Sequence, residues 1–284
     1  MTKLKTIRNR YEKAAFLIGN GPNLYSDIMP SWTNLLKTAG DGPVEFALEG
    51  LTYTEVYDLV ELASNNPQGI KTRIIKQLAL KKKDDLSVHQ NLMNLAITTE
   101  SPVLTTNFDA AFESSIDARI KHIDSRDFTR YYPWKSYYAH TAIGRPTEGF
   151  GIWKVHGDVN YRDSIRLGLA DYMGSVERAR KLLHHGRNRI SRKKHRDYWN
   201  GSNTWLDIWF NMPIIIIGFG FGVHETFLRW LLIERKRYYR DFHPGKGIDI
   251  CYVYVNPPKP DVKNLLQTLG VEFVKIPSYG HLYL

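Results

Sequence analysis

Cysteine is almost missing from this 284-residue chain, in which Cys251 stands alone. One thiol cannot form an internal disulfide framework or supply a multi-cysteine structural zinc site. Such scarcity suits a reducing compartment, so a cytoplasmic location is expected. Long apolar runs are missing as well. The most apolar stretch, "PIIIIGFGFGV" from Pro213 to Val223, is interrupted by glycines and falls well short of the roughly 18 to 20 residues that cross a bilayer. It belongs in a soluble core, and no membrane span is expected. The basic start, "MTKLKTIRNRYEKAAFLIGNG", carries an apolar run from Ala14 to Gly19 that is too short and too interrupted for a signal-peptide core.

Acidic residues are missing from Arg178 to Arg196, "RARKLLHHGRNRISRKKHR", where much of the net charge of +10 resides. Such a run suits phosphates or an acidic partner, and equally a solvated helix and loop. Aromatic residues make up 13% of the chain, but they do not alternate regularly with basic ones. No base-stacking platform for single strands is therefore indicated, and direct nucleic-acid binding stays open.

The chain is long enough to bury a sizeable core as one large α/β domain or one domain with an insertion. Apolar runs predict strands at Ala14–Gly19, Pro102–Thr106, Gly151–Val155, Pro213–Gly218 and Ile248–Val255, with a sixth at Val271–Ile276. Helical patterns fall at Ser31–Lys37, Phe108–Ile120, Tyr172–His184, Val223–Tyr239 and Lys259–Leu269. Strands alternating with helices predict a Rossmann-like, mostly parallel sheet with helices on both faces. Residues 40–100 break this rhythm: "YTEVYDLVELA", "IKTRIIKQLALKKK" and "LSVHQNLMNLAIT" have helical periodicity and no convincing strand, and read as a helical insertion. A basic helix and loop segment is expected at about 172–200. A single domain spanning 1–284 accommodates all of this.

Ligands of such sheets bind in the loops beyond the carboxyl ends of the strands. Those ends read "GNGPN" (Gly19 to Asn23), "TTNFD" (Thr105 to Asp109), "HGD" (His156 to Asp158), "GFGFG" (Gly218 to Gly222) and "VNPP" (Val255 to Pro258). Each has a bland reading. Gly19 and Gly21 serve a tight turn, Asn107 a helix cap, His156 a hydrogen-bonded strand end, and Gly218, Gly220 and Gly222 close strand–helix packing. A glycine-rich first loop also suits a pyrophosphate, because missing Cβ atoms let backbone N–H groups approach an anion. "GNGPN" does not complete Gly-x-Gly-x-x-Gly, since Leu24 stands at the third glycine, so an ordinary dehydrogenase fits poorly.

Taken in order, "FLIGNGPNL", "TTNFD", "KVHGDV", "IIIIGFGFG" and "YVYVNPP" resemble the sirtuin superfamily, specifically the bacterial sirtuin-like NAD hydrolases of antiphage defence. The chain departs from the protein deacylases of that superfamily, which carry a four-cysteine zinc module that a chain with one cysteine cannot build; no zinc is expected. The resemblance implies NAD as substrate and cleavage of its nicotinamide–ribose bond. The leaving group departs neutral and needs little acid, so the site must stabilise an oxocarbenium-like ribose and position a nucleophile. By the same resemblance Asn107 holds the ribose and a water, His156 accepts a proton from a ribose hydroxyl or that water, and Asp109 orients its neighbours. Gly19, Asn20 and Gly21 lie at the phosphates, Gly218 and Phe219 on the nicotinamide-ribose side, and Asn256 near the adenosine. Asn23, Gly157 and Gly220 are further NAD-binding residues by the same resemblance.

The resemblance also implies assembly. A constitutive NAD hydrolase would poison its own cytoplasm, so the expected partners are further copies of the chain or a separately encoded sensor such as an ATPase, an Argonaute-like protein or a nucleotide pyrophosphatase. A nucleotide-binding sensor without turnover and a nucleic-acid-associated module remain the alternative readings.

Overall fold

The short apolar runs become strands of one eight-stranded sheet in the computed structural model, which describes residues 3–41, 50–124, 134–191 and 198–283. The six expected strands are β1 (Ala15–Ile18), β2 (Val103–Thr105), β5 (Ile152–Lys154), β6 (Ile214–Ile217), β7 (Ile250–Tyr254) and β8 (Glu272–Lys275). All six run parallel, in the spatial order β5-β2-β1-β6-β7-β8. β1 and β6 are buried along their whole length, as strands covered on both faces must be, which is why they read as unbroken apolar runs.

Side-chain alternation divides the core into two layers. Ala15, Leu17, Ile214 and Ile216 face one layer, formed with α8 (Leu169–His184), α9 (Trp205–Asn211), α10 (Thr226–Phe242) and α11 (Pro260–Leu269). Phe16, Ile18, Ile215 and Ile217 face the other, formed with α1 (Lys3–Arg8), α6 (Ser87–Thr98) and α12 (Tyr279–Tyr283). A third apolar cluster stands apart from the sheet. In it α3 (Trp32–Lys37), α4 (Tyr53–Ala63) and α5 (Pro67–Gln77) pack on Phe108, Ile165 and Leu167. α4 starts on a full capping box, with Thr52 accepting from the Glu55 N–H and Glu55 from the Thr52 N–H. Residues 50–100 are thus helical without a strand, but α6 covers the sheet while α4 and α5 join the separate cluster.

Two strands were not anticipated. β3 (Arg119–His122) and β4 (Ser136–Ala139) extend the sheet beyond β5 as an antiparallel edge. The helix expected over Phe108–Ile120 is accordingly reduced to α7 (Ala111–Ser114). Asp117 turns the chain in the left-handed region at φ 52°, and Arg119 to His122 then pair with Ala139 to Ser136. The polar "RIKH" of β3 is an edge-strand composition, whose partner rather than its own pattern decides its conformation. In the basic segment, α8 ends at His184, and Lys181 pairs with Glu177 and His184 with Glu234; residues 192–197 lie outside the described residues.

Candidate functional site

The chain runs outward from β1 to β2 and β5 on one side, then returns beside β1 as β6, so the sheet reverses direction between β1 and β6. Open α/β sheets bind ligands at this switch point, outside the carboxyl ends of their strands. The loops after these two strands touch directly. Gly21 donates its N–H to the Gly218 carbonyl at 2.9 Å, and Gly19 donates to Ile217 at 3.1 Å. A Cβ on Gly19 would lie 2.6 Å from the Gly218 carbonyl oxygen, and one on Gly21 2.5 Å from the buried Tyr283 hydroxyl and 2.6 Å from the Gly218 Cα. Close packing of the two loops therefore already requires glycine at these positions. At the half-buried Gly218 φ is 59°, whereas a side chain at Gly220 would enter open space.

Behind the first loop lies a buried polar relay. The Asn23 amide donates to Asn20 Oδ1 and Asp109 Oδ2, each at 2.8 Å, and its oxygen lies 2.8 Å from His89 Nε2 on α6. Asp109 also accepts the Ala111 N–H, starting α7. Asn23, Asp109 and His89 are all buried, so they hold the "GNGPN" and "TTNFD" loops together from beneath. His89 was not identified from sequence; its apolar neighbours on α6 made it look like part of a helix face.

Burial pushes the His89 pKa down to about 4, against the opposing pull of Asp109 and Asp85. The ring is neutral at pH 7 and serves as a donor to Asn23. Because the folded value lies below the ordinary 6.5, the stability it contributes is complete above pH 6.5 and is lost as pH falls through 4. The loss is expected to reach about 3 kcal/mol. Urea unfolding at pH 7 and at pH 4 should show a drop that is smaller in His89→Asn by this amount; equal drops in the two proteins would remove His89 as the cause.

Asn107 and His156 follow neighbouring parallel strands. Thr105 of β2 pairs with Lys154 of β5, and each candidate stands two residues further along, so both reach the same edge. Asn107 is buried and its backbone N–H is held by Thr105 Oγ1 at 3.1 Å, while its side-chain Nδ2 has no hydrogen-bond partner among the described residues. A buried amide nitrogen without a partner is costly, and it marks a position where a ligand oxygen would restore the bond. His156 is 3% exposed, with its ring beside Tyr172 and Phe227. Gly157 follows at φ 106°, where a Cβ would stand 2.2 Å from the Ser164 carbonyl oxygen, so the turn carrying His156 admits glycine only.

The partner of His156 was also missed from sequence. Glu225 Oε2 lies 2.8 Å from His156 Nε2. Glu225 follows β6, and β6 is three inter-strand spacings, roughly 14 Å, from β5. The "GFGFGVHE" loop therefore crosses the ends of β1 and β2 to reach the histidine. The loop is anchored on the way: Phe221 is fully buried at φ 46°, and the Phe219 carbonyl accepts from Tyr252 Oη at 3.0 Å. An acid just after a glycine-rich loop, at the head of an amphipathic helix, was the available signal.

Beneath both loops lies an ionic cluster. The Lys154 ammonium sits 2.6 Å from Glu113 and 4.0 Å from Asp158, and it donates to the carbonyls of Phe108 and Asp109. Tyr138 completes the cluster by donating to Asp158 at 2.7 Å. Burial opposes the charge on Lys154, but Glu113, Asp158 and Asp109 outweigh it and raise its pKa. Burial pushes Glu113 up to about 7, against the pull of Lys154. The ammonium thus ties "TTNFD" to the strand that delivers "HGD".

Asn256 lies apart from these contacts. It is exposed after β7, with its amide 3.4 Å from Tyr279 Oη. Among the described residues no group of three or more His, Cys, Asp or Glu is placed to hold a metal ion, and no helix is long and apolar enough to cross a membrane.

The strand order reverses between two glycine-rich loops, and an Asn and a His stand on adjacent strand ends, so the candidate residues lie where open α/β sheets bind their ligands. The SIR2-like domain family matches residues 101–274, more than half of the chain, and the chain belongs to that family. A solved chain from work on the structural basis for the mechanism and regulation of Sir2 enzymes is similar at 11% identity and a TM-score of 0.40, covering 92% of this chain and 88% of that one. Comparison with curated proteins finds no match.

Proposed function

We propose that this chain is an NAD glycohydrolase that cleaves the nicotinamide–ribose bond and depletes cellular NAD, as the effector of a bacterial antiphage, abortive-infection system. The observation that carries the reading is the buried Asn107 amide on the strand end next to His156, whose Nδ2 has no hydrogen-bond partner among the described residues. Membership of the SIR2-like family supports NAD as the ligand, and the single cysteine disfavours a zinc-built peptide deacylase.

In this reading the β1 and β6 loops receive the dinucleotide at the switch point, with Gly19, Asn20, Gly21, Gly218, Phe219, Gly220 and Gly157 along the ligand and Asn256 toward the adenosine. Asn107 donates to a ribose oxygen and holds water near the anomeric carbon. His156 accepts the proton released as the nucleophile adds to the oxocarbenium-like ribose, while nicotinamide leaves neutral. Asp109 and Asn23 are buried among their own hydrogen bonds and act through the loops they hold. Activity is gated by assembly, with copies of the chain or with a separately encoded sensor.

Incubating the purified protein with NAD, over a range of protein concentrations, tests this. Equal amounts of nicotinamide and ADP-ribose are expected, with turnover per chain rising as mass measurements show association. Saturable NAD binding without release would make the chain a sensor. Tight nucleic-acid binding that falls steeply with salt, without NAD binding, would favour the nucleic-acid reading.

A further inference from the structure

We infer that Glu225 is the positioning residue of His156: it holds the imidazole with its proton on Nε2 and leaves Nδ1 as the nitrogen that accepts a proton from the bound ligand. This rests on the proposed role of His156 as a base.

An ionised carboxylate has no proton to give, so a 2.8 Å contact between Glu225 Oε2 and His156 Nε2 requires the ring nitrogen to donate. The other ring nitrogen is then the acceptor, because a neutral imidazole carries one proton. Glu225 is itself fixed: its Oε1 accepts the Leu228 N–H at 3.3 Å, its backbone N–H donates to Gly222, and it is 9% exposed. It stands at the N-cap of the 17-residue α10, where the helix dipole favours a negative charge. The ring of its neighbour His224 packs tilted against that of Tyr53 of α4, with centroids 4.0 Å apart, and accepts the Tyr53 N–H at 3.3 Å. The separate helical cluster therefore buttresses the same loop from outside, and the carboxylate has little freedom to leave the ring.

Proton transfer balances simply. Nδ1 gains the proton that a ribose hydroxyl or water loses, the ring becomes imidazolium, and the adjacent carboxylate stabilises that charge without taking the proton. A Glu225 with this role shapes proton transfer and leaves NAD affinity nearly unchanged, which separates it from a ligand-binding residue.

The test combines 15N spectra of the His156 ring with NAD cleavage kinetics in the full-length wild type, Glu225→Gln, Glu225→Asp and Glu225→Ala. The wild type is expected to show a single Nε2–H tautomer. Glu225→Gln, whose amide either donates or accepts, should show a mixture with the fold intact. In Glu225→Ala kcat should fall about 10²- to 10⁴-fold with KM little changed, the size of losing a carboxylate that fixes the tautomer of an imidazole base. Glu225→Asp should recover part of the loss. An Nδ1–H tautomer in the wild type, a wild-type spectrum in Glu225→Gln, or an effect on KM alone would overturn the assignment. If Glu225→Ala fails to fold, the Gln variant decides through its spectrum. If the wild type neither binds nor cleaves NAD, the reading of function fails while the tautomer still decides the role of Glu225.

Discussion

Replacing Asn107 by alanine is expected to lower nicotinamide release from NAD by about 10²- to 10⁴-fold with the fold intact, and replacing His156 should do the same. The two losses have different origins. Asn107→Ala removes a buried amide whose nitrogen has no partner among the described residues, so it takes away the proposed ligand contact and relieves an unsatisfied group. Its thermal stability should be equal to or above that of the wild type. His156→Ala leaves the Glu225 carboxylate facing a void, so it should lower stability as well as activity. His156→Gln, which keeps a donor near Glu225, separates the effects. A folded His156→Gln with near-normal turnover would remove the base, and an Asn107→Ala that unfolds would return Asn107 to a purely structural role.

The second large effect is on folding. Lys154→Ala should destabilise the protein by about 3 to 5 kcal/mol, because it strips the cation from buried acids that cannot reach water. Glu113 and Asp158 are each nearly fully buried, and the carbonyls of Phe108 and Asp109 lose their shared donor. Removing the nearer acid with the cation, in Lys154→Met with Glu113→Leu, should restore part of the loss, since Glu113 no longer stands unpaired while Asp158 keeps its donors from Tyr138 and Asn160. Denaturant midpoints of the single and double variants measure this. A double variant no more stable than Lys154→Ala would show that the carbonyl contacts, and not the ion pair, dominate.

Of the predicted elements, those with a strong internal signal stand where expected. β1 and β6 consist of apolar residues because helices cover both faces, and an unbroken apolar run of strand length has few other uses. α10 and α11 announce themselves by amphipathic periodicity, and α11 also by Pro260 at its start and the left-handed Gly270 at its end. β3, β4 and the short α7 were not legible, because a polar edge strand owes its conformation to the strand beside it. The strand-end loops were readable because small and polar residues after an apolar run have few structural reasons to recur five times.

Residue pattern alone was enough to read a mostly parallel α/β sheet, glycine, asparagine and histidine loops following the ends of its strands, and too few cysteines for a four-cysteine zinc module. Periodicity and residue chemistry carry such information because they act over a few neighbouring positions. Which groups meet across the fold is visible in the folded chain alone. His89 reaches Asn23, Lys154 bridges Glu113 and Asp158, and Glu225 crosses two strand ends to hold His156. These pairs join residues up to 69 positions apart, and their geometry follows from strand order and loop path. No local pattern records either one.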